Sequence, residues 1–330
     1  MKSILITGGA GYVGTLLTDQ LLQKNYKVLV YDTFWFGDFI SNHKNLIKIK
    51  GDIRDINKIS EIKENIDVVI HLACISNDNT FELNPKLSEE INYNSFSPLL
   101  KILKQKGVKR FINASSSSVY GFSDNPNVTE EHPLLPLTLY NKFKGMCEPI
   151  LFENHSSDFV CINVRPATVC GCSPRMRFDL SVNILTHFAT KKKEITVFGG
   201  KQMRPNLHIK DMCNFYEYLI EADPELVGME TFNISDENIS IENIALKIKN
   251  IFFEKFNIDI NIKKTESEDD KRSYHLNSNK IKEKLNFNIK YKVDDAILDI
   301  YSVLQSGQHK DSLDNDIYYN IKTLKKLNIT

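Results

Sequence analysis

The chain has 330 residues, 42% hydrophobic and 25% charged, enough to bury one large or two modest cores. Its 42 basic and 42 acidic residues cancel, which excludes a global field for nucleic acid or anionic membrane and leaves Lys191-Lys192-Lys193 and Lys263-Lys264 as solvated faces. The six cysteines, Cys74, Cys147, Cys161, Cys170, Cys172 and Cys213, form no CxxC pair, and no histidine stands at zinc-ligand spacing; no metal site is expected, and the thiols read as reduced and cytoplasmic.

The opening residues enter a strand at once, without the charged, apolar and small pattern of a secretion signal, and no apolar run approaches the ~18 residues that span a membrane. Ile4-Leu5-Ile6 suits a buried strand, and Gly8, Gly11 and Gly14 follow before Leu16, Leu17, Leu21 and Leu22 mark a helix. Glycine allows φ > 0 in such a turn, lets a pyrophosphate reach the backbone and lets helix pack on strand; the helix N-terminus offers N–H groups to the phosphates. A second buried strand, Lys27 to Tyr31, ends at Asp32, 24 residues after Gly8. An acidic side chain there accepts hydrogen bonds from an adenosine ribose and repels a 2′-phosphate, so NAD is the expected dinucleotide rather than NADP.

Thr33-Phe34-Trp35-Phe36-Gly37 is an aromatic loop, read as local core more than as an adenine contact. Leu46 to Lys50 alternates like a strand and runs into Gly51-Asp52-Ile53; Asn57 to Asn65 is helical, and Asp67 to Leu72 is a fourth strand. Strands alternating with helices imply a parallel sheet with right-handed crossovers, and ligands of such sheets sit at the carboxyl ends of the strands. Residues 85–106 form one long helical pattern entered at Pro85, and Lys109 to Ala114 is the fifth strand.

Four serines, Ser115 to Ser118, with Val119-Tyr120-Gly121, lie at the end of that strand and read as a placed hydroxyl cluster. A helix from about Leu137, capped by Thr138, puts Tyr140 and Lys144 on one face, with Pro149 kinking it beyond them. An unperturbed tyrosine, with a pKa near ~10, is a poor base at neutral pH. A neighbouring Lys⁺ and an oxidised nicotinamide both favour the phenolate. Tyr140 then takes a proton from an alcohol as hydride leaves the same carbon, and a serine hydroxyl steadies the oxyanion.

Taken together, these residues resemble the extended short-chain dehydrogenase/reductase superfamily, in particular its nucleotide-sugar epimerases and dehydratases. The resemblance rests on GGAGYVG at 8–14, Asp32, Asp52-Ile53, His71-Leu72-Ala73, Asn92, SSSSVYG at 115–121, Tyr140 with Lys144, Arg165-Pro166, and the run from Arg204 to Asp211. It implies an α/β, Rossmann-type doubly wound parallel sheet with a smaller C-terminal α/β substrate lobe. Residues 1–170 and about 205–235 would form the NAD domain, and 171–204 with 236–330 the nucleotide-sugar lobe. By this resemblance Ser116, Tyr140 and Lys144 are catalytic. The cofactor residues are Gly8, Gly11, Tyr12, Val13 and Gly14 at the pyrophosphate, Asp32 at the adenosine ribose, Asp52 and Ile53 at the adenine, then Leu72, Ala73, Asn92, Tyr140 and Lys144. The nucleoside-diphosphate sugar would meet Ser116, Thr168, Asn183, Arg204 and Arg272.

Dehydratases of the family place an Asp-Glu pair after the catalytic hydroxyl. Here those positions are Ser117 and Ser118, which argues against dehydration. Asn141, Phe143 and Thr168 depart from common residues and bear on the sugar's identity. The segment 173–180 is either a substrate contact or a structural loop.

Beyond it, residues 195–199, 231–234 and 259–263 read as strands, and 208–222, 241–256, 278–285 and 293–304 as helices. The tail from Gly307 is polar and weakly patterned, either partly disordered or a partner contact. The expected activity is C4 epimerisation of a nucleotide sugar, with a C4 dehydrogenase or 4-keto reductase as the alternative and a non-catalytic NAD-binding scaffold last. A homodimer through the long helices is implied by the family.

Overall fold

The computed structural model describes residues 1–265, 273–309 and 311–329. Six strands arise in the first half: β1 (Ser3–Thr7), β2 (Lys27–Asp32), β3 (Leu46–Lys50), β4 (Val68–His71), β5 (Arg110–Ala114) and β6 (Val160–Pro166). Six shorter or later ones follow: β7 (Thr168–Cys170), β8 (Glu194–Phe198), β9 (Met203–His208), β10 (Glu230–Ile234), β11 (Glu237–Ser240) and β12 (Asn261–Thr265).

Seven of them form one parallel sheet in the order β10-β6-β5-β4-β1-β2-β3. The order reverses between β1 and β4, so the loops leaving these strands part and open a crevice. Apolar runs such as Ile4-Leu5-Ile6 and Val28-Leu29-Val30 are wholly buried because helices cover both faces of the sheet. One core lies on the face of Ile4, Ile6, Val28 and Val30, and a second on that of Leu5, Leu29 and Val69. The Rossmann-type sheet expected from the sequence is therefore the architecture found.

The later strands make two small sheets, β11-β9-β7 and β12-β8. Helices Ser181–Lys192, Ile241–Phe256 and Val293–Gln305 close a third core around Val182, Ile195, Ile244 and Ile297. Among the described residues no helix is long and apolar enough to cross a membrane.

Three local expectations need correction. The 85–106 pattern is not one helix: Pro85–Glu89 passes into a wide π turn at Glu90–Asn94 before Phe96–Gln105. The buried Asn92 side chain in that turn bonds both to the N–H and to the carbonyl of Ile75, and such insertions expand a helix locally. The second helix covers only Ile56–Ser60, not 57–65. The tail, finally, folds back on the body: Asp316–Tyr318 and Asn320–Lys326 are helical, with Tyr318, Tyr319 and Leu324 buried. Its apolar residues follow no clear sequence pattern, but Tyr318 and Tyr319 pack into the main core.

Candidate active site

The carboxyl ends of β1 to β6 open on a cavity of about 630 Å³. At one end the glycine turn is fixed by close backbone contact. A Cβ at Gly8, whose φ is +74°, would stand 2.6 Å from the main chain of Ala73. At Gly14 it would meet the Gly8 carbonyl at 2.6 Å. Gly11 is the N-cap of helix α1 (Tyr12–Gln23), and no side chain caps that terminus. A diphosphate suits this cradle, which presents backbone N–H groups, the positive end of a helix and no Cβ. Gly8, Gly11, Tyr12, Val13, Gly14, Leu72 and Ala73 all line it. The Tyr12 hydroxyl, however, turns inward and donates to the Gly171 carbonyl at 2.6 Å.

Asp32 stands beside this turn. Its Oδ2 accepts from the Ala10 N–H at 3.0 Å and its Oδ1 from the Phe34 N–H at 2.8 Å. Burial raises its pKa, while these N–H groups and Arg175 pull it down. The carboxylate thus braces the glycine turn as well as facing the cavity. Asp52 and Ile53 also line the cavity, and so do Trp35 and Phe36 of the aromatic loop, for which the sequence favours local core over an adenine contact.

Ser116, Tyr140, Lys144 and Thr168 border the central part of the cavity. Thr138 caps the helix Leu139–Glu153 as expected, accepting from the Asn141 N–H. Ser116 Oγ lies 2.7 Å from Ser118 Oγ and faces the same cavity as Tyr140. Burial pushes the Tyr140 pKa well above that of a free phenol, and Cys74 and Asp78 add to this. Arg177 and the Ser116 hydroxyl act in the opposite sense. Lys144 Nζ is held elsewhere, donating to the Ala114 carbonyl at 2.6 Å. The leading cation on Tyr140 is therefore Arg177, not the expected Lys144.

Beneath the serines runs a buried polar chain. Ser115 Oγ donates to Glu148 at 2.6 Å, and Arg165 binds the same carboxylate through Nε at 3.0 Å and Nη2 at 2.5 Å. Arg165 Nη1 reaches the Tyr120 hydroxyl at 2.6 Å. Fully partnered, this network fixes the loop that carries Ser116.

Arg204 lines the far end of the cavity, near Gln202 and Tyr274. Two expected contacts are placed differently. Asn92 is taken up by Ile75, and the buried Asn183 bonds Gly171 N–H, the Tyr12 hydroxyl and the Arg177 carbonyl, so both hold loops rather than line the cavity. Arg272 lies outside the described residues. Among the described residues no cluster of side chains suits a metal ion.

Arg175, Arg177 and Asn320 also line the cavity; the two arginines lie in the 173–180 segment, which the sequence leaves open between a substrate contact and a structural loop, while Asn320 is not singled out by it. The pair of cations two residues apart in Arg175-Met176-Arg177 was a signal; Asn320, in the polar tail, had none.

A doubly wound sheet that brings a glycine cradle, a strand-end carboxylate and a Ser/Tyr/Lys set to one crevice is the design of the extended short-chain dehydrogenases/reductases. More closely, residues 4–235 match the model of the NAD dependent epimerase/dehydratase family, and the chain belongs to that family. NAD is its cofactor.

The chain is similar to a putative UDP-glucose 4-epimerase of Methanocaldococcus jannaschii, 27% identical over 80% of this chain and 91% of the relative. It is 30% identical to the dTDP-D-glucose 4,6-dehydratase of Dictyostelium discoideum over 76% of this chain and 62% of that protein. Among solved structures, UDP-glucose 4-epimerase of Thermotoga maritima with UDP-glucose superposes with a TM-score of 0.83 at 23% identity, covering 93% and 99% of the two chains.

Proposed function

We propose that the protein is an NAD-dependent nucleotide-sugar 4-epimerase, working as a cytoplasmic homodimer. The observation that carries this reading is the fate of the two residues after Ser116. Ser117 Oγ lies 2.9 Å from the Tyr274 hydroxyl and Ser118 Oγ donates to Asn141 at 2.5 Å. Neither offers the acid and base that elimination needs, while Ser116 and Tyr140, the groups that oxidation would use, both border the cavity.

Tyr140 takes the proton of the C4 hydroxyl, and Ser116 bonds the oxygen as it becomes a carbonyl. Lys144 holds the nicotinamide ribose, and Arg204 takes the sugar's diphosphate at the cavity's far end. The nicotinamide supplies a hydride acceptor and donor at C4. After the 4-keto sugar turns over in the cavity, hydride would return to the opposite face of C4 while Tyr140 returns the proton to the C4 oxygen. The residues of the 171–204 and 236–330 lobe would hold the nucleotide. UDP-glucose is the first substrate to test, because relatives bearing the 4-epimerase name are named for it.

The test follows absorbance in the NADH band while UDP-glucose and other nucleotide sugars are turned over. Epimerisation converts the sugar with no net NADH. Stoichiometric accumulation or consumption of NADH would instead make the protein a net C4 oxidoreductase. Light scattering of the purified protein checks the dimer.

A further inference from the structure

We propose that Arg175 and Arg177, braced by Asn320 of the C-terminal tail, form a two-cation clamp on the diphosphate of the bound dinucleotide. The first support is position. Ser173 Oγ donates to the Tyr12 carbonyl at 2.5 Å, and the Arg175 N–H donates to Thr15 Oγ1 at 3.3 Å. These bonds stitch the segment to the first turn of α1, just beyond the glycine cradle. The Arg175 guanidinium lies 4.3 Å from the centre of the Phe36 ring and within the field of Asp32. Arg177 reaches the other way, donating to Ser76 Oγ at 3.1 Å and acting on Tyr140. The pair therefore spans the stretch between the adenosine-ribose carboxylate and the catalytic tyrosine, which a dinucleotide's diphosphate must cross.

The second support is unmet hydrogen bonding. Arg175 is 2% and Arg177 7% exposed, both facing the cavity. Arg175 Nε and Arg177 Nη2 are buried without a partner, which buried donors in folded proteins rarely are. Burial and the like charge of Arg177 push the Arg175 pKa down to about 9. Asp179, 2.9 Å from Arg177, offsets part of this charge. A diphosphate dianion would satisfy the rest and give both N–H groups an acceptor.

The third support is the brace. Asn320 Oδ1 accepts from Arg175 Nη2 at 2.6 Å, its Nδ2 donates to Ser76 Oγ at 3.1 Å, and its N–H donates to Asp179 at 3.0 Å. One tail residue thus ties both arginines' surroundings to the loop after β4. Release of the dinucleotide requires this strap to loosen, so the cofactor is retained between turnovers.

Binding without any sugar tests the clamp separately from the proposed reaction. The chain's one tryptophan, Trp35, lines the cavity and reports ligands by fluorescence. Protein stripped of nucleotide is titrated with NAD, ADP-ribose, adenosine and UDP. Arg175→Gln and Arg177→Gln should each weaken NAD and ADP-ribose about 10- to 100-fold and leave adenosine and UDP within about threefold. Arg175→Lys should recover part of the loss, and Asn320→Ala should speed release of bound NAD. Unchanged NAD affinity in both glutamine variants overturns the clamp. So does weakened UDP binding with NAD intact, which would give the arginines to the substrate's diphosphate. An equal loss of adenosine also overturns it, because the effect would then not lie at the diphosphate.

Discussion

Lys144 gives its ammonium to the carbonyl of Ala114, the last residue of β5, at 2.6 Å, while Tyr140, four residues earlier on the same helix, lacks it. In this arrangement the Tyr140 phenol is held protonated by burial. On the proposed mechanism a cationic nicotinamide beside it would favour the phenolate, so the base would form when the cofactor is oxidised. Tyr140→Phe should retain NAD and lose about 10²- to 10⁴-fold in turnover. Arg177→Gln should move the acid limb of the pH–rate profile to higher pH, since the cation that favours the Tyr140 phenolate is gone. Wild-type-like turnover by Tyr140→Phe would remove the mechanism.

Asp32 braces the glycine turn and, on the proposed reading, also meets the adenosine ribose, so its replacement tests both roles. Asp32→Ala frees the Ala10 and Phe34 N–H groups that the carboxylate now accepts from, and removes the charge that opposes a 2′-phosphate. NAD affinity should fall, and the preference for NAD over NADP should narrow. Parallel titrations with the two dinucleotides check this; an unchanged ratio would place the ribose elsewhere.

Two glycines give opposite expectations. At Gly14 an added Cβ would press on the Gly8 carbonyl and on Gly9 Cα, each at 2.6 Å, so backbone must shift and the cradle opens. At Gly107, φ is +79° with nothing within 4 Å of the added atom. Gly14→Ala should abolish detectable NAD binding, whereas Gly107→Ala should cost only the left-handed strain of about 1–2 kcal/mol and bind NAD normally. Urea unfolding and NAD titration of both variants measure the contrast.

His71 sets a pH dependence of stability. Buried at the end of β4 and 2.7 Å from Thr7 Oγ1, its pKa is pushed down to about 3 by burial and by Lys144. The unfolded chain takes up a proton near pH 6.5 while the folded one does not, so stability falls as pH drops from 6.5 towards 3. Between pH 8 and 5 this amounts to about 2 kcal/mol. His71→Gln should lose that part of the slope in urea unfolding followed against pH. An identical slope in the variant would assign the effect to other groups.

Much of the molecule could be read locally. Strand, glycine turn and helix are spelled by consecutive residues, because burial period and φ > 0 are properties of short segments. The same holds for Asp32 at a strand end, Thr138 as a cap, and Tyr140 with Lys144 on one helical face. A parallel sheet followed from the alternation of strands and helices, whereas its strand order came only with the structure.

What tertiary structure alone decided is where long-range partners meet. Asn92 and Asn183 look like ligand contacts in the sequence, but Asn92 pairs with the backbone of Ile75 in the loop after β4, and Asn183 with the Tyr12 hydroxyl and the backbone of Gly171 and Arg177. Lys144 is drawn to a carbonyl of β5, and Arg177, 37 residues beyond Tyr140, becomes the cation that acts on it. Asn320 reaches Arg175 across 145 residues of chain. Hydrogen bonds of this kind depend on distance in space, which local periodicity does not encode; the polar tail carried no sign that it would close over the cofactor's cavity.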